Sequence, residues 1–179
     1  MRHFRKVWFM FRINRILQHK FFRQCMTLNG EREKNRPFCR HNLQHSIDVA
    51  RICYILVLEK NAGDKILPGA GLKQAQAVIY AAALTHDMGR WQQYDTGEDH
   101  ALIGANLAGR VLEDTGFSKA EINLIADAIL KHRSGSTGGG LLGQYLRQAD
   151  DLSRQCWQCG AREDCKKLKQ METTDGPLY

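Results

Sequence analysis

The most constraining feature of the sequence is an apolar run from Ala75 to Leu84 that leads into Thr85-His86-Asp87-Met88-Gly89-Arg90. A helix that is apolar on nearly every side is a buried helix, so the run predicts a central element surrounded by other helices. It ends by placing an imidazole beside a carboxylate, and Gly89 then lets the chain turn away. Both groups are metal ligands, and a buried, hydrogen-bonded His–Asp pair is the structural alternative.

Other histidines strengthen the metal interpretation, because they lie on apolar helical faces. His45, His100 and His132 each share a helical stripe with apolar residues, and Asp150 shares one with Leu142 and Leu146. Buried charges must be paired or bound to metal, so several inward histidines and aspartates require compensation. The pattern therefore predicts one buried metal centre, with these six ligands: His45, His86, Asp87, His100, His132 and Asp150.

This ordered set resembles the HD superfamily of metal-dependent phosphohydrolases over about residues 40–154. The resemblance rests on an early His, the adjacent His86-Asp87 and the late Asp in Gln148-Ala149-Asp150-Asp151-Leu152. The motifs around His100 and His132 resemble the two-metal branch, which includes cyclic-dinucleotide phosphodiesterases and bacterial diadenosine tetraphosphate hydrolases. Unlike the cyclic di-GMP enzymes, the chain has His132-Arg133 instead of paired histidines and no Gly-Tyr-Pro motif.

The resemblance implies two divalent metal ions, with iron or manganese favoured. The first ion is expected on His45, His86, Asp87 and Asp150, and the second on Asp87, His100 and His132. A hydroxide shared by the two ions would attack a phosphate ester or anhydride, most simply of a nucleotide. Four cations are candidates to bind this small phosphorylated substrate: Arg90, Lys131, Arg133 and Arg154. His41 either protonates the leaving group or orders the ligands around it.

Two other functions remain open on the same ligands. The six-residue set also resembles that of mixed-valent diiron oxygenases in the HD superfamily. A non-catalytic regulatory module that only senses a ligand is the third interpretation. Dependence of turnover on oxygen separates the first two functions, and absence of turnover with any metal favours the third.

Capping and turn residues divide the chain into further helices. A capping box at Ser118 and Glu121 opens one helix, and Asn42 is a candidate N-cap for another. The expected helices cover about 42–61, 73–87, 98–115, 118–132 and 141–155, with loops at 62–72 and 91–97. Because no period-two strand pattern occurs, the sequence predicts an all-α chain. The resemblance to the HD superfamily implies that the helices form a single HD-domain bundle. The glycine-rich stretch 134–140 is either a phosphate-binding loop or a flexible linker.

Charge and length suggest three segments: a basic N-terminal helical segment (1–36), the metal-binding domain (37–155) and a Cys-containing tail (156–179). The first 40 residues hold eleven Lys or Arg against two Glu, so they carry more than the whole net charge of +7. Residues 3–22 predict a helix with a broad apolar face, which docks on the core or contacts an anionic surface such as a membrane or nucleic acid. A turn at Asn29-Gly30 and a solvated charge run at 31–36 are expected to follow.

No apolar run approaches the roughly 20 residues of a membrane span, so no transmembrane segment and a cytoplasmic location are expected. The six cysteines are then expected to be reduced. Cys156-Trp-Gln-Cys159 and the following Cys165 have a spacing that suits zinc or an iron–sulfur cluster, with Cys25 or Cys39 as a fourth ligand. The alternative is a tail whose thiols pack locally. The sequence gives no prediction of the oligomeric state.

Overall fold

The computed structural model describes residues 11–133 and 140–179, and every regular element there is helical. This confirms the prediction of an all-α chain. The helices are α1 (11–18), α2 (Lys20–Arg32), α3 (Leu43–Glu59), α4 (Gly63–Ile66), α5 (Leu72–Thr85), α6 (Arg90–Thr96), α7 (His100–Asp114), α8 (Lys119–Leu130) and α9 (Gly140–Leu152). Two short 3₁₀ helices, Cys156–Gln158 and Leu168–Gln170, follow. Among the described residues, no helix is long and apolar enough to cross a membrane.

Helix α5 is the central element that the apolar run predicts. Its residues from Ala81 to Thr85 are all buried, as are Ala77, Val78 and Ile79 on the preceding turns. Helix α5 packs most extensively against α3 and also contacts α8, α7 and α9, while α3 lies along α9 and α7 pairs with α8. The ends of four helices are thereby gathered around the carboxyl end of α5.

The N-terminal caps determine where the ligand-bearing helices begin. The side chain of Asn42 accepts a hydrogen bond from the backbone N–H of His45, which confirms the predicted cap of α3. Asp99 caps α7 in the same way, and Ser118 forms the predicted capping box with Glu121 at the start of α8. The caps therefore place His45 in the first turn of α3 and make His100 the first residue of α7.

The N-terminal helices pack on the bundle. Ile13 and Ile16 of α1 and Phe22 and Cys25 of α2 all belong to the hydrophobic core. The guanidinium of Arg12, also buried, donates to both carboxylate oxygens of Glu121 at 3.0 Å. These apolar side chains thus pack against the rest of the protein, as expected from the interpretation in which the N-terminal segment docks on the core. Residues 1–10 lie outside the described part, and contact of this segment with an anionic surface stays a prediction.

Four local predictions are wrong. The Asn29-Gly30 pair does not form a turn but lies inside α2, and Glu33, assigned to a solvated charge run, is only 2% exposed. Residues 91–97, predicted as a loop, form most of helix α6. The predicted loop 62–72 contains the single turn α4. For Asn29, Glu33 and α6, contacts with other elements outweigh local preference, as the hydrogen bonds described below show. The division into three segments stays a prediction.

Candidate metal centre

The six predicted ligands converge on one buried centre. Their donor atoms form three overlapping groups in which all atoms lie within 4.8 Å of one another: His45, His86 and Asp87; His86, His132 and Asp150; Asp87, His100 and His132. The six side chains come from α3, the turn after α5, α7, the end of α8 and α9. All six residues are buried.

Asp87 occupies the middle of this centre. Its Oδ2 lies 3.0 Å from Nε2 of His86 and 3.6 Å from Nε2 of His45, whereas its Oδ1 lies 3.7 Å from Nε2 of His100. The two oxygens of one carboxylate thus face different histidines. On the side of Asp87 Oδ2, Oδ1 of Asp150 lies 3.1 Å from Nε2 of His45. Asp87 therefore lies between two sets of potential metal-binding atoms.

Hydrogen bonds to the backbone orient two of the rings. Nδ1 of His86 donates to the carbonyl of Ala83 at 2.7 Å, and Nδ1 of His132 donates to the carbonyl of Ile129 at 2.5 Å. A carbonyl oxygen can only accept, so each Nδ1 carries the proton and each Nε2 keeps its lone pair. This carbonyl-to-histidine arrangement is typical of metal-binding histidines. Nδ1 of His45 lies 3.1 Å from the hydroxyl of Ser153.

Several buried polar atoms of the centre have no hydrogen-bond partner. They are Nε2 of His45, Nε2 of His86, Oδ2 of Asp87 and both ring nitrogens of His100. The short distances between some of these atoms do not have hydrogen-bond alignment. An unsatisfied buried polar group is costly, and a cation held among these atoms would satisfy them together. The donor set therefore fits divalent metal ions.

The electrostatics of the centre keep Asp87 ionised and His100 neutral, which are the protonation states that bind metal. Burial alone would raise the pKa of Asp87, but Arg90 and the neighbouring histidines lower it well below its usual value. Burial, followed by the charge of Arg90, lowers the pKa of His100 to about 3, so this ring is neutral at neutral pH. For His86, burial lowers the pKa, but Asp87 and Asp150 outweigh it and raise the pKa. The same negative field that attracts a proton there attracts a metal cation.

Two glycines allow α7 to approach the His86–Asp87 turn. A Cβ at Gly89 would lie 2.7 Å from the carbonyl oxygen of His100 and 2.8 Å from the backbone nitrogen of Gly104. A Cβ at Gly104 would lie 2.9 Å from the carbonyl oxygen of His86. Gly89 has φ −88°, which any residue adopts, so close backbone contact is the reason for glycine here.

Residues outside the predicted ligand set support the centre. The buried amide of Asn29 donates to the carbonyl of Asp87 at 2.9 Å and accepts from the backbone N–H of Trp91 at 2.8 Å. The buried carboxylate of Glu33 contacts Nδ1 of His41 and accepts from the hydroxyl of Tyr94 at 2.7 Å. The sequence contains no local signal for these contacts of Asn29 and Glu33, because every partner is distant in the chain or in another element.

His41 borders the centre but is not among its ligand groups. Its Nε2 lies 4.0 Å from Oδ2 of Asp87, while its backbone N–H donates to Glu33 at 2.7 Å. For Glu33, burial raises the pKa, but hydrogen bonds and charge from His41 outweigh it and lower the pKa to about 2. A carboxylate that is ionised at neutral pH therefore holds the ring, with Nε2 on the side of Asp87.

Two adjoining cavities open onto the centre. The larger, of about 320 Å³, is lined by His41, Arg90, Asp150 and Arg154, and the smaller, of about 150 Å³, by Arg90, His100, His132 and Arg133. Of the predicted substrate-binding cations, Arg90 and Arg154 are also paired with Asp87 and Asp150, and Arg133 with Asp99. Lys131 lines neither cavity and pairs with Asp127.

Sequence reasoning missed four further cations that line these cavities: Arg36, Arg147, Lys166 and Lys167. They come from the N-terminal segment, α9 and the tail, so no single motif contains them. The proposed phosphate loop of residues 134–139 lies outside the described residues. The tail cysteines Cys156 and Cys165 line the larger cavity, on the side where Cys39 also lies.

Comparisons with known proteins agree with this geometry. The chain is 32% identical over 156 residues to an uncharacterized protein of Clostridium beijerinckii, covering 87% of this chain and 92% of that one. It is 29% identical to ribonuclease Y of Oleidesulfovibrio alaskensis over 88% of this chain, but spans only 27% of that protein. The crystal structure of a predicted HD superfamily hydrolase from an uncultured Thermotogales bacterium matches with a TM-score of 0.50 and 27% identity, over 73% of this chain and 66% of that one.

The model of the HD domain family matches residues 42–155, which include all six converging side chains. The match covers well over half of the sequence. The chain belongs to the HD domain family.

Proposed function

We propose that the protein is a metal-dependent phosphohydrolase that cleaves a phosphate ester or anhydride in a nucleotide. The observation that carries this proposal is the position of Asp87, whose two oxygens face different histidines of a six-residue centre. A bridging carboxylate with separate ligands on each side is the donor set of a two-metal hydrolase. The buried, unpartnered donor atoms of the centre support the same assignment.

The assignment of ligands follows the two sides of Asp87. One ion would be held by His45, His86, Asp87 and Asp150, and the other by Asp87, His100 and His132. When bound, two such ions lower the pKa of a water molecule toward neutrality and polarise the phosphate group. Iron or manganese is favoured, because these ions accept a mixture of imidazole and carboxylate donors.

His41 is the chain's own group for moving a proton. Glu33 fixes the proton of His41 on Nδ1, so Nε2 is the atom that exchanges a proton with the substrate. His41 lines the larger cavity, and its Nε2 lies 4.0 Å from Oδ2 of Asp87, beside the centre but outside its ligand groups. In this position His41 would protonate the oxygen that leaves phosphorus.

The larger cavity supports a nucleotide as substrate. Its volume of about 320 Å³ is at the low end of the usual range for small-ligand sites. Arg36, Lys166 and Lys167 line it together with Arg90 and Arg154, so it offers several cations to phosphate oxygens. Phe38 and Met171 add an apolar surface on which a base can pack. The relatives named ribonuclease Y, whose name denotes action on RNA, favour the nucleotide class.

The test combines metal analysis with a substrate screen on anaerobically purified protein. We expect two metal equivalents at the centre, and hydrolysis of one or more nucleotides with Mn²⁺ or Fe²⁺ in the absence of oxygen. Asp87→Ala should lose both ions and all activity, and His132→Ala should lose one ion. His19→Ala is the matched control, because His19 pairs with Asp114 outside the centre, and it should keep both ions.

The screen should include short RNA, cyclic dinucleotides and dinucleoside polyphosphates. Retention of two ions in Asp87→Ala would overturn the two-metal assignment. Turnover that stops without oxygen and returns on its readmission would replace the hydrolase with a diiron oxygenase of the same superfamily. Nucleotide binding without turnover, whichever metal is supplied, would indicate a regulatory HD module.

A further inference from the structure

The C-terminal tail has little core and little regular structure of its own. From residue 155 to residue 179 only Cys156, Ala161 and Thr173 are buried, and the regular structure consists of two three-residue 3₁₀ helices. Such small buried side chains remove little apolar surface from water, whereas ordering each residue costs about 1–2 kcal/mol of backbone entropy. Short segments with so small a core usually depend on a cross-link such as a disulfide or a metal ion.

Four cysteines line two neighbouring cavities where the tail crosses the bundle. Cys156 and Cys165 line the larger cavity together with Cys39, which precedes α3, and Cys39 also lines a neighbouring cavity with Cys159. Burial raises the pKa of the Cys39 thiol, Arg154 lowers it, and Cys156 and Cys159 raise it further, in keeping with the cavity lining that these cysteines share. All four thiols are free.

The other two cysteines lie elsewhere. Cys25 is buried in the core, where it interacts with Trp91, and Cys53 is fully buried in the middle of α3. Cys25 is thereby separated from the tail by the surrounding core residues. Of the two candidates for a fourth ligand, Cys39 is the one that the fold brings to the tail cysteines.

We propose that Cys39, Cys156, Cys159 and Cys165 bind one zinc ion, which ties the tail to the segment that precedes α3. A site of four thiolates is typical of structural zinc. Cys156 and Cys159 provide the usual paired spacing, and the backbone N–H of Cys159 donates to the carbonyl of Cys156 in a tight turn. Arg154, Lys166 and Lys167, which line the cavity beside them, offset the negative charge of the thiolates.

Binding requires the thiols to close around the ion. Among the described residues, the groups of donor atoms within 4.8 Å of one another all belong to the His/Asp centre, whereas sulfurs on one zinc ion lie about 3.8 Å apart. Rotation of a cysteine between staggered χ1 positions moves its Sγ by about 3 Å, so side-chain rotation supplies movement of the required size.

The zinc site also has a consequence for the larger cavity. Lys166 and Lys167 directly follow Cys165, and Cys39 lies two residues before His41. One zinc ion would therefore hold both the segment before α3 and the tail residues in the lining of the same cavity, although none of its ligands belongs to the His/Asp centre. Its presence can be tested without any measurement of activity.

Cobalt substitution gives a readout that only sulfur ligands produce. Full-length protein is purified anaerobically, stripped with a chelator and titrated with Co²⁺. We expect a thiolate-to-cobalt charge-transfer absorption that saturates at one equivalent and is displaced by Zn²⁺. Cys39→Ala should greatly weaken the absorption, whereas the matched variant Cys25→Ala should keep it. Absence of the band in the unmodified chain, or an equal band in both variants, would overturn the proposal.

A second measurement uses the unmodified chain, so it does not depend on the folding of a variant. Alkylation followed by mass spectrometry should show Cys39, Cys156, Cys159 and Cys165 protected together with zinc and modified together after chelation. Trypsin should cleave after Lys166 and Lys167 faster once zinc is removed. Equal alkylation with and without zinc would overturn the proposal, as would acid-labile sulfide in the purified protein, which would indicate an iron–sulfur cluster.

Discussion

The close approach of α7 to the His86–Asp87 turn gives a sharp prediction from two glycines in the same helix. Gly104 and Gly109 both lie inside α7, so replacing either with Ala gains about 1 kcal/mol of helix propensity. At Gly109 the added Cβ meets nothing within 4 Å, so Gly109→Ala should raise the free energy of unfolding by about this amount. Any difference between the two variants therefore measures the contact at Gly104.

At Gly104 the added Cβ would lie 2.9 Å from the carbonyl oxygen of His86, and a backbone atom cannot rotate away. Overpacking of this kind costs about 1–3 kcal/mol, so Gly104→Ala should be less stable than Gly109→Ala by that amount. In a chain of this size the corresponding gap in Tm is about 2–12 °C. The shift also displaces the turn that carries Asp87, so metal affinity should fall in Gly104→Ala only.

Urea titration and thermal melting of both variants, with and without chelator, measure the stability gap. Isothermal titration of the stripped proteins with Mn²⁺ measures metal affinity. Equal or greater stability of Gly104→Ala, together with unchanged affinity, would refute the argument that glycine is needed here for close backbone approach.

Three further predictions use the same unfolding assays. Arg12→Ala leaves the buried Glu121 without its ion pair. Because Ser118 and Gln74 still donate to Glu121, the free energy of unfolding should fall by about 3 kcal/mol, the low end for a broken buried pair. A fall of less than about 1 kcal/mol would contradict this prediction. Ser118→Ala removes the cap of α8 and should cost about 0.5–2 kcal/mol in the urea titration, and no measurable cost would argue against the capping box. Because the pKa of Glu33 is lowered to about 2 in the folded protein, its contribution is present above its ordinary pKa of 4.5 and is lost as the pH falls from there to about 2. Glu33→Gln should therefore flatten the fall of stability across that interval, and an unchanged slope would refute this role.

The sequence predicts the parts of the fold that depend on local signals. The apolar run of α5, the cap at Asn42 and the capping box at Ser118 each act within a few residues, and the structure has helices where they indicate. The burial of His45, His100 and Asp150 follows from the same patterns, whereas His86, Asp87 and His132 lie just beyond the ends of α5 and α8. A polar residue on the apolar stripe of a helix must enter the core, whatever the order in which the helices pack.

The errors concern residues whose structure is set by distant partners. Asn29 is a poor helix former beside a glycine, yet its side chain bonds the carbonyl of Asp87 and the N–H of Trp91, which stabilise it within α2. The contact with Trp91 also gives a hydrogen-bond partner to a backbone N–H at the start of α6, where the sequence predicts a loop. Glu33 lies in a run of charges, and only its contacts with His41 and Tyr94 explain its burial. Single-sequence patterns contain no information about such pairs.

The contacts of α2 also mean that the segment matched by the family model is shorter than the unit that folds. The family match begins at residue 42, after Asn29, Glu33 and His41. A fragment that begins at residue 42 would retain all six residues of the centre. It would lose His41 itself, together with Asn29, which holds the Asp87 turn, and Glu33, which holds the His41 ring. Conversely, substitutions in this leading segment can change the reactivity of the centre while leaving its ligands untouched. The first forty residues thus offer a route by which proteins with the same metal-binding residues acquire different rates or substrates.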